Sequence, residues 1–186
     1  MSRPNWFLGF PLDGAFVLEL PALPANMRRF HPEDVHLTLA FLGACGQEAA
    51  ARAFAELERL LAERQLARLE VSLGDVVPMG GSRKNYTALS ALLERGREEV
   101  SAAIAALRDP LLAAANCRPD ARPPKPHASI ARPRARVTDS QREAGLGWAA
   151  ALELRNISQC LDRIALYSWH EARHERLFRI VTELRL

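Results

Sequence analysis

Polar and apolar residues alternate through His36-Leu37-Thr38-Leu39-Ala40-Phe41, with Val35, Leu37, Leu39 and Phe41 on one side and His36 and Thr38 on the other. A two-residue period of this kind predicts a strand over residues 35–42, one face on the core, closed by Gly43. An earlier strand is predicted over residues 6–10, with Trp6, Leu8 and Phe10 on one face, Phe7 on the other and Pro11 at its end. Either face could fill core or stack on a base, and core is the preferred reading for each residue taken singly. Pro21 and Pro24 limit any helix between these strands to a turn or two.

Farther along, the period lengthens. Phe54, Leu57 and Leu61 recur at helical spacing in a stretch rich in alanine, leucine, glutamate and arginine, which predicts an amphipathic helix over residues 47–68. Strands over 69–77 and 86–92 flank a Met79-Gly80-Gly81-Ser82 turn. A second helix is expected over 96–107, interrupted by Pro110 and resuming to 115. The second half echoes the first, with a strand over 127–132 and a helix over 138–151, where Thr138 and Gln141 have capping-box spacing. A closing hairpin is expected over 161–169 and 177–186, since Phe178, Ile180, Thr182 and Leu184 alternate with Arg179, Val181, Glu183 and Arg185. Two comparable sets of strands and helices predict an α+β fold in two lobes packed side by side, each a small antiparallel sheet with helices outside, forming one domain over residues 1–186.

Composition narrows the picture. No run of eighteen apolar residues occurs and no apolar leader follows Met1, so the chain is read as cytoplasmic, with no membrane partner. Cys45, Cys117 and Cys160 are odd in number and far apart, which suggests neither a disulfide framework nor a thiolate metal site; they are expected to be buried apolar fillers. A net charge of +3 argues against a general nucleic-acid coating protein but permits a local basic patch. Residues 118–136 provide one, with Arg118, Arg122, Lys125, Arg132, Arg134 and Arg136 opposed only by Asp120. His127 lies in the middle of it.

Residues 36–39 read His-Leu-Thr-Leu and residues 127–130 read His-Ala-Ser-Ile. On a strand, each pattern puts an imidazole and a hydroxyl on one face and apolar residues on the other. Two imidazoles suit in-line displacement at phosphorus, one taking a proton from the attacking water while the other protonates the departing oxygen. Histidine titrates near neutral pH and so can hold both states. The hydroxyls of Thr38 and Ser129 would donate to the non-bridging oxygens.

These motifs resemble those of the RNA 2′,3′-cyclic phosphodiesterases, also called 2′-5′ RNA ligases, of the two-histidine phosphoesterase superfamily. Trp6-Phe7-Leu8-Gly9-Phe10-Pro11-Leu12 looks like the family's opening strand, the run from His31 to Gly43 is similar to its first motif, and Pro126-His127-Ala128-Ser129-Ile130-Ala131-Arg132 resembles its second. The resemblance implies a two-lobed, pseudo-twofold cleft that opens a 2′,3′-cyclic phosphate at an RNA end to a 2′-phosphate, with ligation as the reverse. The two-histidine chemistry needs no metal, no cofactor is expected, and the chain is expected to be a monomer. The resemblance also implies roles: His36 as acid and His127 as base, or the reverse, and Thr38, Ser129 and Arg132 on the phosphate. Strand parity puts Arg132 with Ala128 and Ile130 unless the strand ends or bulges there. Lys125 stands where the family often has an aromatic residue that helps hold a base, which bears on base preference.

Other substrates remain open, among them a cyclic mononucleotide or an ADP-ribose cyclic phosphate, as does noncatalytic binding of an RNA end. His170-Glu171-Ala172-Arg173-His174 fits the H-E-x-x-H zinc pattern, but that chemistry needs a helix, whereas these residues are expected to form a hairpin loop. Gly145-Leu146-Gly147-Trp148-Ala149-Ala150 fits a dinucleotide fingerprint but follows helical sequence rather than a strand.

Overall fold

The computed structural model describes residues 3–64 and 66–186. Among these the elements are β1 (Trp6–Pro11), α1 (Phe16–Glu19), β2 (Met27–Arg29), β3 (His36–Gly43), α2 (Gln47–Arg64), β4 (Leu69–Met79), β5 (Ala88–Arg95), α3 (Arg97–Ala114), β6 (His127–Pro133), α4 (Asp139–Ala150), β7 (Ser158–Leu161), β8 (Arg163–Trp169) and β9 (Phe178–Arg185), with a 3-10 turn at Pro32–Asp34. The fold is α+β and two-lobed, as expected. Its strands run in the order β7-β4-β5-β6-β3-β1-β8-β9, with β2 beside β6. The two four-stranded halves meet at β6 and β3 through a single registered pair, Ala128 with Leu37, so the two sheets are one curled surface with a seam. The strand order repeats outward from that seam, matching β3 with β6, β1 with β5, β8 with β4 and β9 with β7.

The apolar faces found by alternation make the core. Leu8, Phe10, Leu37, Leu39, Ile130, Leu57 and Leu111 are buried in one cluster between the curled sheet and the helices, each contributing roughly 1.5–3 kcal/mol by leaving water. Helix α3 packs on both α2 and β3, and α4 lies against β4 and β5.

Several boundaries differ from expectation. Helix α2 ends at Arg64, because residues 66–68 carry the chain into β4. Helix α3 runs through Pro110 unbroken. A proline there cannot donate to the Ala106 carbonyl four residues back, and the guanidinium of Arg64 donates to that carbonyl instead, at 3.2 Å. Thr138 caps α4 with both halves of the capping box formed. Strands β2 and β7, of three and four residues, are too short to show a period. The cysteines are not buried fillers: Cys160 is exposed on β7, and Cys45 and Cys117 are half-buried, the Cys117 thiol donating to the Leu42 carbonyl at 3.3 Å. Among the described residues no helix is long and apolar enough to cross a membrane.

Candidate active site

The seam brings the two motifs together. With Leu37 opposite Ala128 in antiparallel register, one residue either way sets His36 opposite Ser129 and Thr38 opposite His127. Leu37 and Ala128 are fully buried on the core side, so all four polar side chains take the other face. Two diagonals result, one of imidazoles and one of hydroxyls. Diagonal neighbours on such a pair lie about 7–8 Å apart, room for one phosphate group between the two rings.

Both motif strands bulge at the same place. Across from β1, Thr38 pairs with Gly9 but Ala40 pairs with Leu8, leaving Leu39 as the extra residue. Across from β5, Ser129 pairs with Ser90 but Ala131 with Leu89, leaving Ile130 extra. Each bulge reverses the parity beyond it. Phe41, expected in the core, is instead turned out and 55% exposed. Arg132, which simple alternation puts with Ala128, instead shares the face of His127 and Ser129.

The imidazoles are held alike. Nδ1 of His36 donates to the Asp34 carbonyl and Nδ1 of His127 to the Lys125 carbonyl, each at 2.7 Å. A carbonyl can only accept, so in both rings Nε2 is left for chemistry. Their surroundings differ. The His36 ring stacks on Phe7 at 4.6 Å, with Tyr167 tilted beside it and Phe178 edge-on. These aromatics form a small cluster apart from the main core. Phe7 thus neither joins the main core nor faces open water. Gly9 lets β1 approach β3 closely beside the ring, because a Cβ there would stand 2.7 Å from the Leu37 carbonyl oxygen. Burial pulls the His36 imidazole down to about 4, opposed by the Asp34 hydrogen bond and charge and reinforced by the charge of His127. His127 is also lowered, by burial and then by the Lys125 ammonium, against the Lys125 carbonyl.

Residues missed in the sequence complete the site. Asp34, 2% exposed, accepts from the backbone N–H groups of Leu177 and Phe178 at 2.7 and 2.9 Å. Its carboxylate thus fixes the start of β9, which carries Phe178, while its carbonyl orients His36. Ser90, fully buried on β5, shares a 3.0 Å hydrogen bond with Ser129. At the His127 end lies a pocket of about 550 Å³ lined by Leu39, Phe41, Met79, Ile104, Pro123 and Pro124, by Thr38 and His127, and by the charged side chains of Arg108, Asp120, Arg122 and Lys125. Phe41, on β3, brings an aromatic ring to this lining.

The basic stretch is not one patch. Asp120 holds the Arg122 guanidinium through bonds of 2.8 and 2.7 Å, and Arg134 reaches back to the Met27 carbonyl. The H-E-x-x-H residues form the turn between β8 and β9, in which Nδ1 of His170 accepts from the Ala172 backbone. The glycines of the fingerprint-like run lie inside α4.

No protein-family model matches the sequence, and no curated protein matches it in sequence. Solved structures match over nearly the whole chain. Escherichia coli LigT, complexed with 3′-AMP, is 18% identical with a TM-score of 0.71, covering 100% of this chain and 99% of LigT. TT0787 of Thermus thermophilus is 20% identical with a TM-score of 0.68, covering 98% of this chain and 97% of its own. Kluyveromyces marxianus Usb1 is 13% identical with a TM-score of 0.53 and the same coverage. In fold, the chain is similar to E. coli LigT over its whole length.

Proposed function

We propose that the protein is a metal-independent phosphodiesterase that opens 2′,3′-cyclic phosphates at RNA ends to 2′-phosphates. The observation that carries this reading is the crossed quartet, two imidazoles on one diagonal and two hydroxyls on the other, around space for one phosphate. E. coli LigT, with the same fold, binds 3′-AMP and phosphate in solved structures, which supports a nucleotide phosphate in this cleft.

We assign His36, whose imidazole burial pulls down to about 4, as the neutral partner and general base, and His127 as the protonated partner and general acid. Nε2 of His36 removes a proton from water as the water oxygen bonds to phosphorus. The bond from phosphorus to O3′ breaks on the opposite side, and Nε2 of His127 protonates the departing oxygen. The products are a 3′-hydroxyl and a 2′-phosphate. Each histidine ends with the other's protonation state, and exchange with solvent resets the pair. With a 5′-hydroxyl in place of water, the same groups in the same roles run 2′-5′ ligation: the 5′ oxygen bonds to phosphorus, its proton goes to the base, and O3′ leaves with a proton from the acid. Either hydroxyl can donate in the Ser90–Ser129 hydrogen bond, and with Ser90 as donor the Ser129 proton is free for the phosphate.

A panel of RNA ending in a 2′,3′-cyclic phosphate, 2′,3′-cyclic mononucleotides and ADP-ribose cyclic phosphate, each in excess EDTA, tests this. Cyclic-ended RNA should be opened to the 2′-phosphate with chelator present, since both proton transfers come from side chains. Activity lost in EDTA, restored by zinc and abolished by His170→Ala would move the site to the β8–β9 turn, and binding of RNA ends without turnover would make the protein a binding module.

Thr38→Val and Ser129→Ala should each lower the rate about tenfold to a hundredfold, because a hydrogen bond to a charged group is worth about 1.5–3 kcal/mol. Initial rates on a cyclic mononucleotide check this. A rate within twofold of the unmodified protein for either variant would remove that hydroxyl from the phosphate.

A further inference from the structure

Cys45 and Cys117 are far apart along the chain, and the fold makes them neighbours. Cys45 follows β3 by two residues, in a turn shaped by the left-handed Gly43 and Gly46, with φ of 65° and 88°. Cys117 ends the turn after α3, where its backbone N–H donates to the Leu112 carbonyl at 2.8 Å. Helix α3 packs on β3, which draws the two turns together. There the Cys117 thiol donates at 3.3 Å to the carbonyl of Leu42, three residues before Cys45. It also stands within hydrogen-bonding reach of the Cys45 side chain. Both side chains are half-buried against the main core.

Burial first, and then the charge and hydrogen bond of Cys117, push the Cys45 thiol up to about 11, with Arg52 opposing. The thiolate is the form that attacks an oxidant, so the pair rests as two thiols near neutral pH until an oxidant is supplied. Cys45 is open to one, because it lines a surface depression of about 670 Å³ with Gly46, Gln47, Glu48 and Arg52. Cys160, the third thiol, is exposed on β7, separated from β3 by β4, β5 and β6.

We propose that Cys45 and Cys117 are a redox-sensitive pair that a peroxide joins into a disulfide, fastening the segment that leads to His127 onto the end of the strand that carries His36. One thiolate attacks the peroxide, so that an S–O bond forms and the O–O bond breaks. The departing hydroxide becomes water with the proton the thiol gave up. The second thiolate then attacks the sulfenic sulfur; the S–S bond forms, the S–O bond breaks and a second water leaves. The two sulfurs lose two electrons, and the peroxide gains them.

Residues 118–126 form no helix or strand. Asp120 grips Arg122 there, and Arg108 donates to the Arg122 carbonyl at 2.8 Å. Pro123, Pro124 and Lys125 line the pocket at the His127 end, and the Lys125 carbonyl holds the His127 ring. A link at Cys117 fixes the head of this segment. It also closes the chain from residue 45 to residue 117, and long closed loops remove the most freedom from the unfolded state.

The test uses the full chain carrying Cys160→Ser, which leaves only the pair, treated with stoichiometric hydrogen peroxide. The mass should fall by two hydrogens, and peptide mapping should find the Cys45 and Cys117 peptides joined. The thermal midpoint should rise by roughly 5–15 °C, and dithiothreitol should reverse both changes. Amide hydrogen exchange across residues 118–122 should slow by about tenfold in the linked protein. Cys45→Ala and Cys117→Ala should each abolish the rise in midpoint on peroxide treatment, and a rise that persists in either would overturn the proposal. So would two thiols still open to iodoacetamide after peroxide, a midpoint that falls on linkage, or unchanged exchange over 118–122. If an alanine variant fails to fold, mapping and melting of the parent chain still decide. None of these readouts needs turnover, so the proposal and the phosphodiesterase reading stand or fall separately.

Discussion

Replacing His36 or His127 by alanine is expected to lower turnover of a 2′,3′-cyclic phosphate by about a hundredfold to ten-thousandfold, the usual worth of one general acid or base. The two losses should differ in their dependence on pH. On the proposed mechanism the productive free protein carries a neutral His36 and a protonated His127, so kcat/KM should rise as His36 loses its proton near 4 and fall as His127, lowered by burial, loses its own. Both limbs of the bell therefore lie on the acid side of neutrality. His36→Ala should erase the acidic limb and His127→Ala the alkaline one. Initial rates across pH, with circular dichroism to show that each variant is folded, make the check. A folded variant with near-normal activity would end the two-histidine mechanism, and limbs erased in the opposite order would exchange the acid and base.

Asp34→Ala should unfold the protein more easily than any other single change at the site. Its carboxylate accepts two backbone N–H groups in a buried setting, and removing it strands both donors, at about 1–3 kcal/mol each. Asp34→Asn keeps one acceptor oxygen and should recover about half of that loss. Turnover should fall as well, because Phe178 leaves its place against His36 when β9 loses its anchor. Urea unfolding midpoints and kcat of both variants test this. An unchanged midpoint in Asp34→Ala would show that the clamp carries no stability, and a normal kcat in a destabilised variant would free His36 from it.

The shared face of His36, Thr38, His127 and Ser129 was legible in the sequence, because from His36 to Thr38 and from His127 to Ser129 each strand keeps its two-residue period against a continuous apolar face. Legibility stops at the bulges. Leu39 and Ile130 are ordinary strand residues in composition, and only the count across to β1 and β5 marks them as extra. Alternation therefore sent Phe41 into the core and left the face of Arg132 conditional on a bulge. Asp34 and Ser90 were hidden for a related reason: their partners lie far along the chain or on a neighbouring strand. Pro110 was read as a break because local chemistry says so, and Arg64, from another helix, supplies the missing donor. Family resemblance added the pseudo-twofold cleft, which the strand order bears out.

The interleaving of strands bears on how the molecule assembles. The half of the sheet that carries His36 takes β1 and β3 from the start of the sequence and β8 and β9 from its last quarter, while β4, which follows α2, crosses into the other half. The ring of His36 rests on Phe7 from the first of these strands and on Tyr167 and Phe178 from the last two. Neither half of the sheet is a continuous stretch of chain, so neither can act as a separate folding unit. Contacts between sequence-distant strands close slowly, because loop entropy is lost before the pairing is gained. A ribosome-bound chain that already displays both histidine motifs still lacks the aromatic floor under His36, and the candidate site is complete only with the closing hairpin.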